Sequence, residues 1–448
     1  MNVKTQKFLV FGVSKSGLAV SKYILGQNGK CSIYEELKSE KIEESISALK
    51  ELGAKVLDEE TVFDGIKESD VVIVSPGVPI NHELLIFAKK TGKRIVGELE
   101  FAFGQFLPLT VAVTGTNGKT TTVNMIGSIL SETSTDYKLV GNVGIPVSSV
   151  IDDVKKDEIL VTEVSSFQLE SIKAFCPHVG CFLNFSPDHL ERHYNEENYL
   201  FLKKRLFSNM TESEYAVLNY DDQTIREFAS ELKSKIVWVS LKEKVKGAYR
   251  YNGDVFFDDE YVLSEKDVNV FGDHNVFNML FAISVCKILG YSNDVILRGL
   301  KKFKCMKHRL EMIKEIDGVK YFNDSKATNT ASTITAIENM KNPTVLILGG
   351  SEKGENYDLL FKKVKESFVK HVVITGASRF NMLDSASKQG ISELTMTENF
   401  NVAVKISKAF AEKGDNVLLS PACASFDLFK SYEERGDVFR KIVESFVE

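Results

Sequence analysis

Residues 109–121 read LTVAVTGTNGKTT, in which an apolar strand runs directly into a glycine-rich turn. Glycines allow consecutive backbone N–H groups to turn around an anion, and the helix that follows presents the positive end of its dipole. Lys119 supplies a cation for the β- and γ-phosphates of a nucleoside triphosphate, while Thr120 offers a hydroxyl to Mg²⁺. Although the usual phosphate loop has four residues between its glycines and this one has two, we predict an ATP-binding loop rather than a plain strand–helix turn with a surface lysine. Its residues are Gly115, Thr116, Asn117, Gly118, Lys119, Thr120 and Thr121.

On both sides of this loop the sequence repeats one pattern: a short β-branched or aromatic run, a glycine or serine turn, and an amphipathic stretch. This alternation predicts an α/β fold of parallel sheets covered by helices. Strand-like runs begin at Phe8, Cys31, Val71, Thr110, Ile159, Gly180, Val345, His371 and Val417. We place three domains at residues 1–97, 98–303 and 304–448, and we interpret the turn-rich segment 215–273 as an antiparallel extension of the central sheet.

Length and composition narrow the class of protein. A chain of 448 residues is expected to form about three domains of roughly 150 residues each. The net charge of −6 argues against a nucleic-acid binder, because such proteins usually carry a basic face. The six cysteines show no C-x-x-C spacing, which is typical of reduced core residues in a cytoplasmic protein. No run approaches the ~18 apolar residues of a membrane-spanning helix, and the first apolar stretch is too short for a signal peptide.

The first turn of the chain resembles a dinucleotide fingerprint but departs from it. GVSKSG (12–17) has Ser14 where the central glycine normally lets the backbone approach a pyrophosphate. This side chain disfavours ordinary NAD binding and a dehydrogenase, whereas another nucleotide diphosphate remains possible. Glu35 follows the next strand at a position from which a carboxylate meets a ribose hydroxyl. A bare Rossmann-like turn without a ligand remains an equal alternative.

Acidic and imidazole side chains follow two further strands of the central block. Glu163 ends the run from Ile159, and Asp188 and His189 follow the run from Gly180. Open α/β sheets bind their ligands at the carboxyl ends of the strands. A carboxylate and an imidazole beside a phosphate loop are suitable ligands for a second Mg²⁺, although single acids and histidines in loops are usually only solvated. The sequence has no H-E-x-x-H or comparable zinc spacing.

Eight strings along the chain match one known family. They are GTNGKTTT (115–122), GNVGIP (141–146), EVSSFQLE (163–170), DHLERH (188–193), HNVFN (274–278), HRLE (308–311), NDSKATN (323–329) and SPACASFD (420–427). In this order, and over essentially the whole chain, they resemble the Mur ligases. SSFQLE, NDSKATN and SPACASFD are the specific strings, whereas the phosphate loop alone also fits folylpolyglutamate synthetase.

The resemblance implies an architecture and a reaction. The N-terminal domain is expected to be Rossmann-like and to bind a UDP moiety, the central one to be a P-loop ATPase-like parallel sheet, and the C-terminal one to be Rossmann-like and to bind an amino acid. The implied activity is ATP- and Mg²⁺-dependent ligation of D-glutamate to UDP-N-acetylmuramoyl-L-alanine through an acyl phosphate, in peptidoglycan precursor synthesis. A cytoplasmic monomer with only small-molecule partners, and with neither nucleic acid nor membrane, is expected.

The resemblance also assigns residues of this sequence to roles. Lys119 and Thr120 correspond to the family's residues that contact the ATP phosphates and the first Mg²⁺. Glu163 and His189 correspond to its residues in the region of the second metal and the acyl phosphate. Lys326 is expected beside the reacting centre. The expected nucleotide contacts are Asn278, Arg309 and Asp324; those to the UDP substrate are Ser14, Glu35, Ser75 and Asn142; and those to D-glutamate are Thr328, Lys353, Ser425 and Tyr432.

Two positions depart from the family pattern or leave it ambiguous. The family's carbamylated lysine, formed with CO₂ and serving as a metal ligand, falls within YLFLKKRLFSN (199–209), where two lysines are adjacent. Counting from Tyr199 selects Lys203, and Lys204 remains the alternative. Tyr432 stands where phenylalanine is common, which keeps the ring and adds a hydroxyl.

Four other classes of protein share some of these sequence features. Other Mur ligases add L-alanine, a diamino acid or a dipeptide, but the diamino-acid enzymes carry a D-N-P-R-type string that this sequence lacks. Folylpolyglutamate synthetase would lack the first block before the phosphate loop. A nucleotide-binding regulatory module would explain the glycine turns but not the lysine, acid and arginine sets in three domains. A dehydrogenase is disfavoured by Ser14.

Overall fold

The computed structural model describes residues 1–106, 108–142, 144–268, 270, 272–304, 307–351 and 354–446, without the side chain of Glu191. It is an α/β structure with three separate sheets, which confirms the predicted fold class. Its contacts divide the chain into two compact units. One unit comprises residues 1–271 and 275–303 and holds the first two sheets, and the other comprises 272–274 and 304–448 and holds the third.

The first sheet has five strands in the order β3-β2-β1-β4-β5, all parallel. This is the Rossmann order that the N-terminal resemblance implied. The strands β1 and β4 are apolar and almost completely buried, because helices cover both faces of the sheet. The strands are β1 Lys7–Phe11, β2 Lys30–Tyr34, β3 Lys55–Val56, β4 Val71–Val74 and β5 Arg94–Gly97, and the helices are α1 Lys15–Gly26, α2 Glu40–Glu51, α3 Val62–Glu68 and α4 Glu83–Lys90.

The second sheet has nine strands in the order β14-β13-β12-β11-β10-β9-β6-β8-β7. Its strands are β6 Leu109–Thr114, β7 Tyr137–Gly141, β8 Ile159–Glu163, β9 Val179–Phe182, β10 Tyr215–Asn219, β11 Lys235–Ser240, β12 Gly247–Tyr251, β13 Asp254–Phe257 and β14 Glu260–Ser264. Its helices are α5 Glu98–Phe103, α6 Lys119–Leu130, α7 Ser166–Leu169, α8 Leu190–His193, α9 Glu196–Lys204, α10 Gln223–Phe228, α11 Asp273–Ile288 and α12 Asn293–Lys302. The phosphate-loop strand β6 lies between β8 and β9, where the strand order reverses, and ligands of open α/β sheets bind at such a switch point.

The predicted antiparallel extension over 215–273 is correct only for its last part. The strands β10, β11 and β12 pair in parallel, and antiparallel pairing is confined to β12–β13 and β13–β14. Helix α10 provides the crossover that lets β11 return parallel to β10. The two hairpins instead turn on Asn252-Gly253 and Asp258-Asp259, all with positive φ, as two-residue hairpin turns require.

The third sheet has six strands in the order β15-β16-β20-β17-β18-β19, parallel except for the β15–β16 hairpin. Two apolar clusters fill its two faces, as in the Rossmann-like arrangement that the resemblance implied. The strands are β15 Glu311–Ile316, β16 Val319–Asn323, β17 Thr344–Gly349, β18 Val369–Thr375, β19 Leu394–Met396 and β20 Asn416–Leu419, and the helices are α13 Thr330–Asn339, α14 Asp358–Lys365, α15 Arg379–Lys388, α16 Phe400–Phe410 and α17 Tyr432–Glu444. Among the described residues, no helix has the length and apolar character needed to cross a membrane.

Candidate active site

The predicted phosphate loop connects β6 to α6 in a crowded setting that requires its glycines. Gly115 and Gly118 have φ values of 153° and 86°, which disfavour other residues. A Cβ on Gly118 would lie 2.3 Å from Oδ1 of Asn278, a buried residue of α11. The predicted nucleotide contact Asn278 therefore packs directly against the loop. A helix leaves its first N–H groups outside its own hydrogen-bond ladder, so the start of α6 offers donors to a phosphate.

An asparagine that the sequence analysis missed holds the loop in place. The side chain of Asn184 accepts a hydrogen bond from the N–H of Asn117 at 2.9 Å and donates to its carbonyl at 3.1 Å. The carbonyl of Asn184 also accepts the N–H of Thr116 at 3.1 Å. Two loop N–H groups are thus engaged within the protein. The signal in the sequence was an asparagine two residues after β9, a strand adjacent to β6.

Two lysines meet at one carbonyl of the loop. The side chain of Lys119 donates to the carbonyls of Gly115 and Thr116, at 2.9 Å each. The side chain of Lys203, from α9, donates to the same carbonyl of Gly115 at 2.8 Å. Lys203 is only 1% exposed, and burial lowers its pKa well below the ordinary value, with a smaller contribution from the charge of Lys119. Both effects disfavour the charged form of Lys203 relative to that of an exposed lysine.

The adjacent lysine has different partners. Lys204 lies 2.9 Å from a carboxylate oxygen of Glu231, and its ammonium lies 4.7 Å from the ring centroid of Phe228. Successive residues of a helix point in different directions. Of the two candidates for carbamylation, only Lys203 contacts the phosphate loop.

The buried carboxylate of Glu163 lies at the end of β8, next to the start of α6. One of its oxygens accepts the hydroxyl of Thr120 at 2.7 Å, and the other accepts the side-chain amide of Asn142 at 3.0 Å. Glu163 is 2% exposed. These oxygen donors suit Mg²⁺, which takes one or two carboxylates together with substrate phosphates and water. No cluster of three His, Cys, Asp or Glu side chains that could hold a metal occurs in the described part of the chain.

His189 precedes α8 in a left-handed conformation, with φ of 54°. Such a conformation is uncommon for a residue with a side chain and often marks a functional position. Its backbone N–H donates to the carboxylate of Asp188 at 2.9 Å, and its ring packs on Phe167 with centroids 5.0 Å apart. The side chain is 46% exposed, so its ring is accessible to a ligand.

The residues after His189 bind a turn of the first sheet's domain, a link that the sequence analysis also missed. Arg192 donates to both carboxylate oxygens of Glu170, at 2.7 and 3.2 Å. It also donates to the carbonyls of Gly77 and Val78, at 3.2 and 2.8 Å. This turn immediately follows the predicted substrate contact Ser75. The string DHLERH thus connects His189 to the turn that follows β4.

In the first sheet's domain, two of the three predicted UDP contacts hold the turn itself. A carboxylate oxygen of Glu35 accepts the N–H of Val13 at 2.7 Å, and the hydroxyl of Ser75 donates to the carbonyl of Gly12 at 2.6 Å. Ser14 directly precedes α1, and its side chain makes no capping hydrogen bond. The three residues surround one turn, with the Ser75 hydroxyl directed into the protein.

The second unit brings two predicted nucleotide contacts together. The carboxylate of Asp324 accepts the hydroxyl of Ser420 at 2.8 Å and the N–H of Leu310 at 3.0 Å. Burial raises the pKa of Asp324 to about 7, against the opposing effect of these hydrogen bonds and of the charge of Arg309. Arg309 precedes β15 in the same segment as Leu310.

Most of the predicted amino-acid pocket also lies in this unit. The ammonium of Lys326 is 3.1 Å from the hydroxyl of Tyr432 and 4.8 Å from the centroid of its ring. The hydroxyl by which Tyr432 departs from the family's phenylalanine therefore binds the predicted reacting-centre lysine. Ser425 is 1% exposed, and Thr328 is half-buried with its N–H bonded to the carbonyl of Lys326 at 2.8 Å. Lys353 lies outside the described residues.

Each of the three sheets lies wholly or largely in a region of the chain that matches a family of protein domains. Residues 6–97 match the Mur ligase MurD-like N-terminal domain, residues 113–286 the Mur ligase middle domain, and residues 308–423 the glutamate ligase domain of Mur ligases. Proteins named UDP-N-acetylmuramoylalanine--D-glutamate ligase are similar over the full length. That of Thermoanaerobacter sp. strain X514 is 37% identical over 99% of both chains, and that of Clostridioides difficile strain 630 is 38% identical over 98% of both.

Solved structures share the fold at lower identity. MurF from Acinetobacter baumannii has a TM-score of 0.65 at 17% identity, covering 97% of this chain and 93% of its own. UDP-N-acetylmuramate-alanine ligase MurC from Thermotoga maritima has a TM-score of 0.59 at 19% identity, covering 98% and 99%. MurF ligase from the same organism, solved in complex with ADP, has a TM-score of 0.61 at 17% identity over 99% of both chains.

Proposed function

The chain belongs to the Mur ligase family of ATP-dependent ligases, and we propose that it joins D-glutamate to UDP-N-acetylmuramoyl-L-alanine, releasing ADP and phosphate. The observation that carries this proposal is the 37% identity over 99% of the chain to a protein of that named activity. The match of residues 6–97 to a MurD-like N-terminal domain supports it, because that domain is the one expected to hold the UDP moiety.

We propose that three domains, with the boundaries expected from the sequence, each bind a different substrate. Residues 1–97 bind the UDP-linked substrate through Ser14, Glu35 and Ser75, with Asn142 meeting its muramoyl part. Residues 98–303 bind ATP, and residues 304–448 bind D-glutamate. Asn278, Arg309 and Asp324 contact the nucleotide. The UDP-linked precursor and ATP are both supplied in the cytoplasm, where we expect the protein to act as a monomer.

The first chemical step transfers a phosphoryl group from ATP to the alanine carboxylate, which is a poor electrophile until it is activated. Transfer between two anions is opposed by their repulsion, so positive groups must be fixed around them. Lys119 and the N-terminus of α6 provide such groups, and the phosphate replaces the loop carbonyls as the partner of the Lys119 ammonium. Mg²⁺, when bound, neutralises further phosphate charge. Thr120 would hold the first ion, and Glu163, His189 and a carbamylated Lys203 would hold the second.

The environment of Lys203 supports the carbamate. Only the neutral amine reacts with CO₂. Burial, together with the charge of Lys119, lowers the pKa of Lys203 and so disfavours the charged form that cannot react. An unmodified ammonium at this position would repel a metal ion, whereas a carbamate would add an anionic oxygen ligand. Among the described residues, no three His, Cys, Asp or Glu side chains cluster in a way that could hold a metal ion. The carbamate would therefore add a metal ligand that the unmodified side chains do not supply.

In the second step the amine of D-glutamate attacks the acyl carbonyl and phosphate leaves. The amine must approach to ~3 Å without its proton, while water must be kept from the acyl phosphate. Thr328, Lys353, Ser425 and Tyr432 are proposed to hold the two carboxylates of the amino acid. Lys326, whose ammonium donates to the Tyr432 hydroxyl, is proposed to bind the anionic groups of the reacting centre.

The test is an amino-acid panel. The protein is incubated with UDP-N-acetylmuramoyl-L-alanine, ATP and Mg²⁺, and phosphate release is measured with D-glutamate, L-alanine, meso-diaminopimelate, L-lysine or D-alanyl-D-alanine. We expect release with D-glutamate and a product heavier by one glutamyl residue. Release that depends on any of the others, or a lack of dependence on every amino acid, would overturn the proposal.

A further inference from the structure

The guanidinium of Arg435 lies inside the second unit with every N–H donor engaged. Arg435 stands in the first turn of α17 and is 2% exposed. Its Nε donates to the hydroxyl of Ser325 at 3.0 Å, and its Nη2 donates to the carbonyls of Ser325 at 2.8 Å and Cys423 at 3.0 Å. Its Nη1 donates to the carbonyls of Ala424 at 3.2 Å and Gly349 at 3.5 Å. These bonds use all the donors that a guanidinium possesses.

All of these acceptors are neutral. Within the described ranges, no carboxylate lies within ion-pair distance of the guanidinium, and Asp324 and Asp427 act on it only at longer range. Burial lowers the pKa of Arg435 to about 10, so the group remains a cation at neutral pH. A buried charge without a counter-ion is unfavourable. A cation retained in this state therefore favours an anion that binds nearby.

The acceptors of Arg435 belong to the segments that form the proposed amino-acid pocket. Ser325 precedes Lys326, and Ala424 precedes Ser425. The space is closely filled, because a Cβ on Gly350 would lie 3.0 Å from Nη1 of Arg435. The guanidinium thus joins α17 to the ends of β16, β17 and β20, which are brought together only by the fold.

We infer that Arg435 positions and selects the amino-acid substrate: its planar fork fixes the backbones that carry Lys326 and Ser425, and its uncompensated charge favours an amino acid with two carboxylates. This inference rests on the proposed function. Arg435 acts through the backbone and through its electric field, not by contact with the reacting atoms. A lysine at this position would keep the charge but lose the planar arrangement of five donors, and a glutamine would lose the charge. The two substitutions therefore separate the two effects.

The experiment compares the full-length wild type with the Arg435→Lys and Arg435→Gln variants. For each, kcat and the KM values for D-glutamate and for UDP-N-acetylmuramoyl-L-alanine are measured, and thermal unfolding checks the fold. We expect kcat to fall by about tenfold in both variants, because the pocket backbones shift. The KM for D-glutamate should rise by about 30-fold in Arg435→Gln but less than about fivefold in Arg435→Lys. The KM for the UDP-linked substrate should stay within about twofold in both.

Equal KM values for D-glutamate in two folded variants would overturn the electrostatic part, and an unchanged kcat in both would overturn the positioning part. Should Arg435→Gln fail to fold, Arg435→Lys decides alone. A rise above about tenfold in its KM for D-glutamate would then overturn the role of charge, since the charge is retained. Failure of the proposed function is distinguishable, because in that case the wild type itself shows no phosphate release that depends on D-glutamate.

Discussion

The side-chain amine of Lys203 donates to the carbonyl of Gly115 across 88 positions of sequence, and the ammonium of Lys119 donates to the same oxygen. The charge of Lys119 disfavours a second positive charge on Lys203, and burial allows little screening by water. A carbamate on Lys203 would reverse the sign of this interaction. The modification would then stabilise the lysine that is proposed to meet the phosphates.

Replacement of Lys203 tests this relationship. The Lys203→Ala variant should lose at least about 100-fold in kcat, because an anionic ligand is removed. Acetate, formate or propionate should restore part of the activity by occupying the place of the carbamate. Lys204→Ala is the matched control and should stay within about threefold of wild type, since Lys204 pairs with Glu231 on the surface. Rescue of the Lys204 variant instead would move the modification by one residue.

Lys119→Ala should abolish phosphate release while leaving the fold intact. The expected loss in kcat is more than about 100-fold, because a fixed charge at the transferring phosphate is removed. Phosphate release and the thermal unfolding midpoint are measured on the same preparation. Turnover near that of wild type would show that the phosphates bind elsewhere.

Asn184→Ala should weaken ATP binding by releasing the loop. Removal of its two bonds to the backbone of Asn117 should raise the KM for ATP by about tenfold. Asn209→Ala is a matched control, because Asn209 binds the carbonyls of Lys173 and Phe175 at 2.9 and 3.1 Å in a different loop. Equal effects of the two substitutions on the KM for ATP would contradict the assignment.

Arg192→Ala should raise the KM for the UDP-linked substrate more than the KM for ATP. The substitution releases the turn at Gly77 and Val78 and removes the arginine partner of the nearly buried Glu170, whose remaining ion-pair contact, with His193, is longer at 3.6 Å. We expect a rise of about tenfold, and the double variant with Glu170→Gln should recover stability because the nearly buried carboxylate that lost its arginine partner is gone. Arg226→Ala, which removes an arginine stacked on Tyr220, should change neither KM. A rise in the KM for ATP alone would argue against a link to the UDP substrate.

The raised pKa of Asp324 predicts a pH-dependent effect of Asp324→Asn on stability. Below about pH 4 the carboxyl is protonated in both the folded and the unfolded chain, so it adds no penalty. Between pH 4 and about 7 only the unfolded chain ionises, and the folded state is progressively disfavoured, by roughly 4 kcal/mol at most. The unfolding midpoint of Asp324→Asn minus that of wild type should therefore increase over this window and level off above it. The exposed Asp317→Asn serves as control, and a difference independent of pH would contradict the raised pKa.

Local patterns predicted much of the fold. Nine strand starts and three α/β regions followed from short apolar runs and turns, because burial on both faces of a parallel sheet imposes such runs. The direction of β10 to β12 did not follow, since turn-rich composition does not determine whether a strand returns through a crossover. The hydrogen bonds of Glu35 and Ser75 to the backbone of the first turn also did not follow from the sequence, because each of them joins residues that are distant in the chain.

By itself the sequence determined the glycine-rich loop between β6 and α6, the order of the strands along the chain and the family, because each depends on residues that are close together in the chain. Only the tertiary structure decided which of two adjacent lysines meets the loop, and that Asn184, Arg192 and Arg435 hold parts of the candidate site. Their partners lie far away in sequence, as with Arg435 and Ser325, which are separated by 110 positions. Such contacts form when packed elements bring distant backbone carbonyls to a side chain, and no local pattern specifies them.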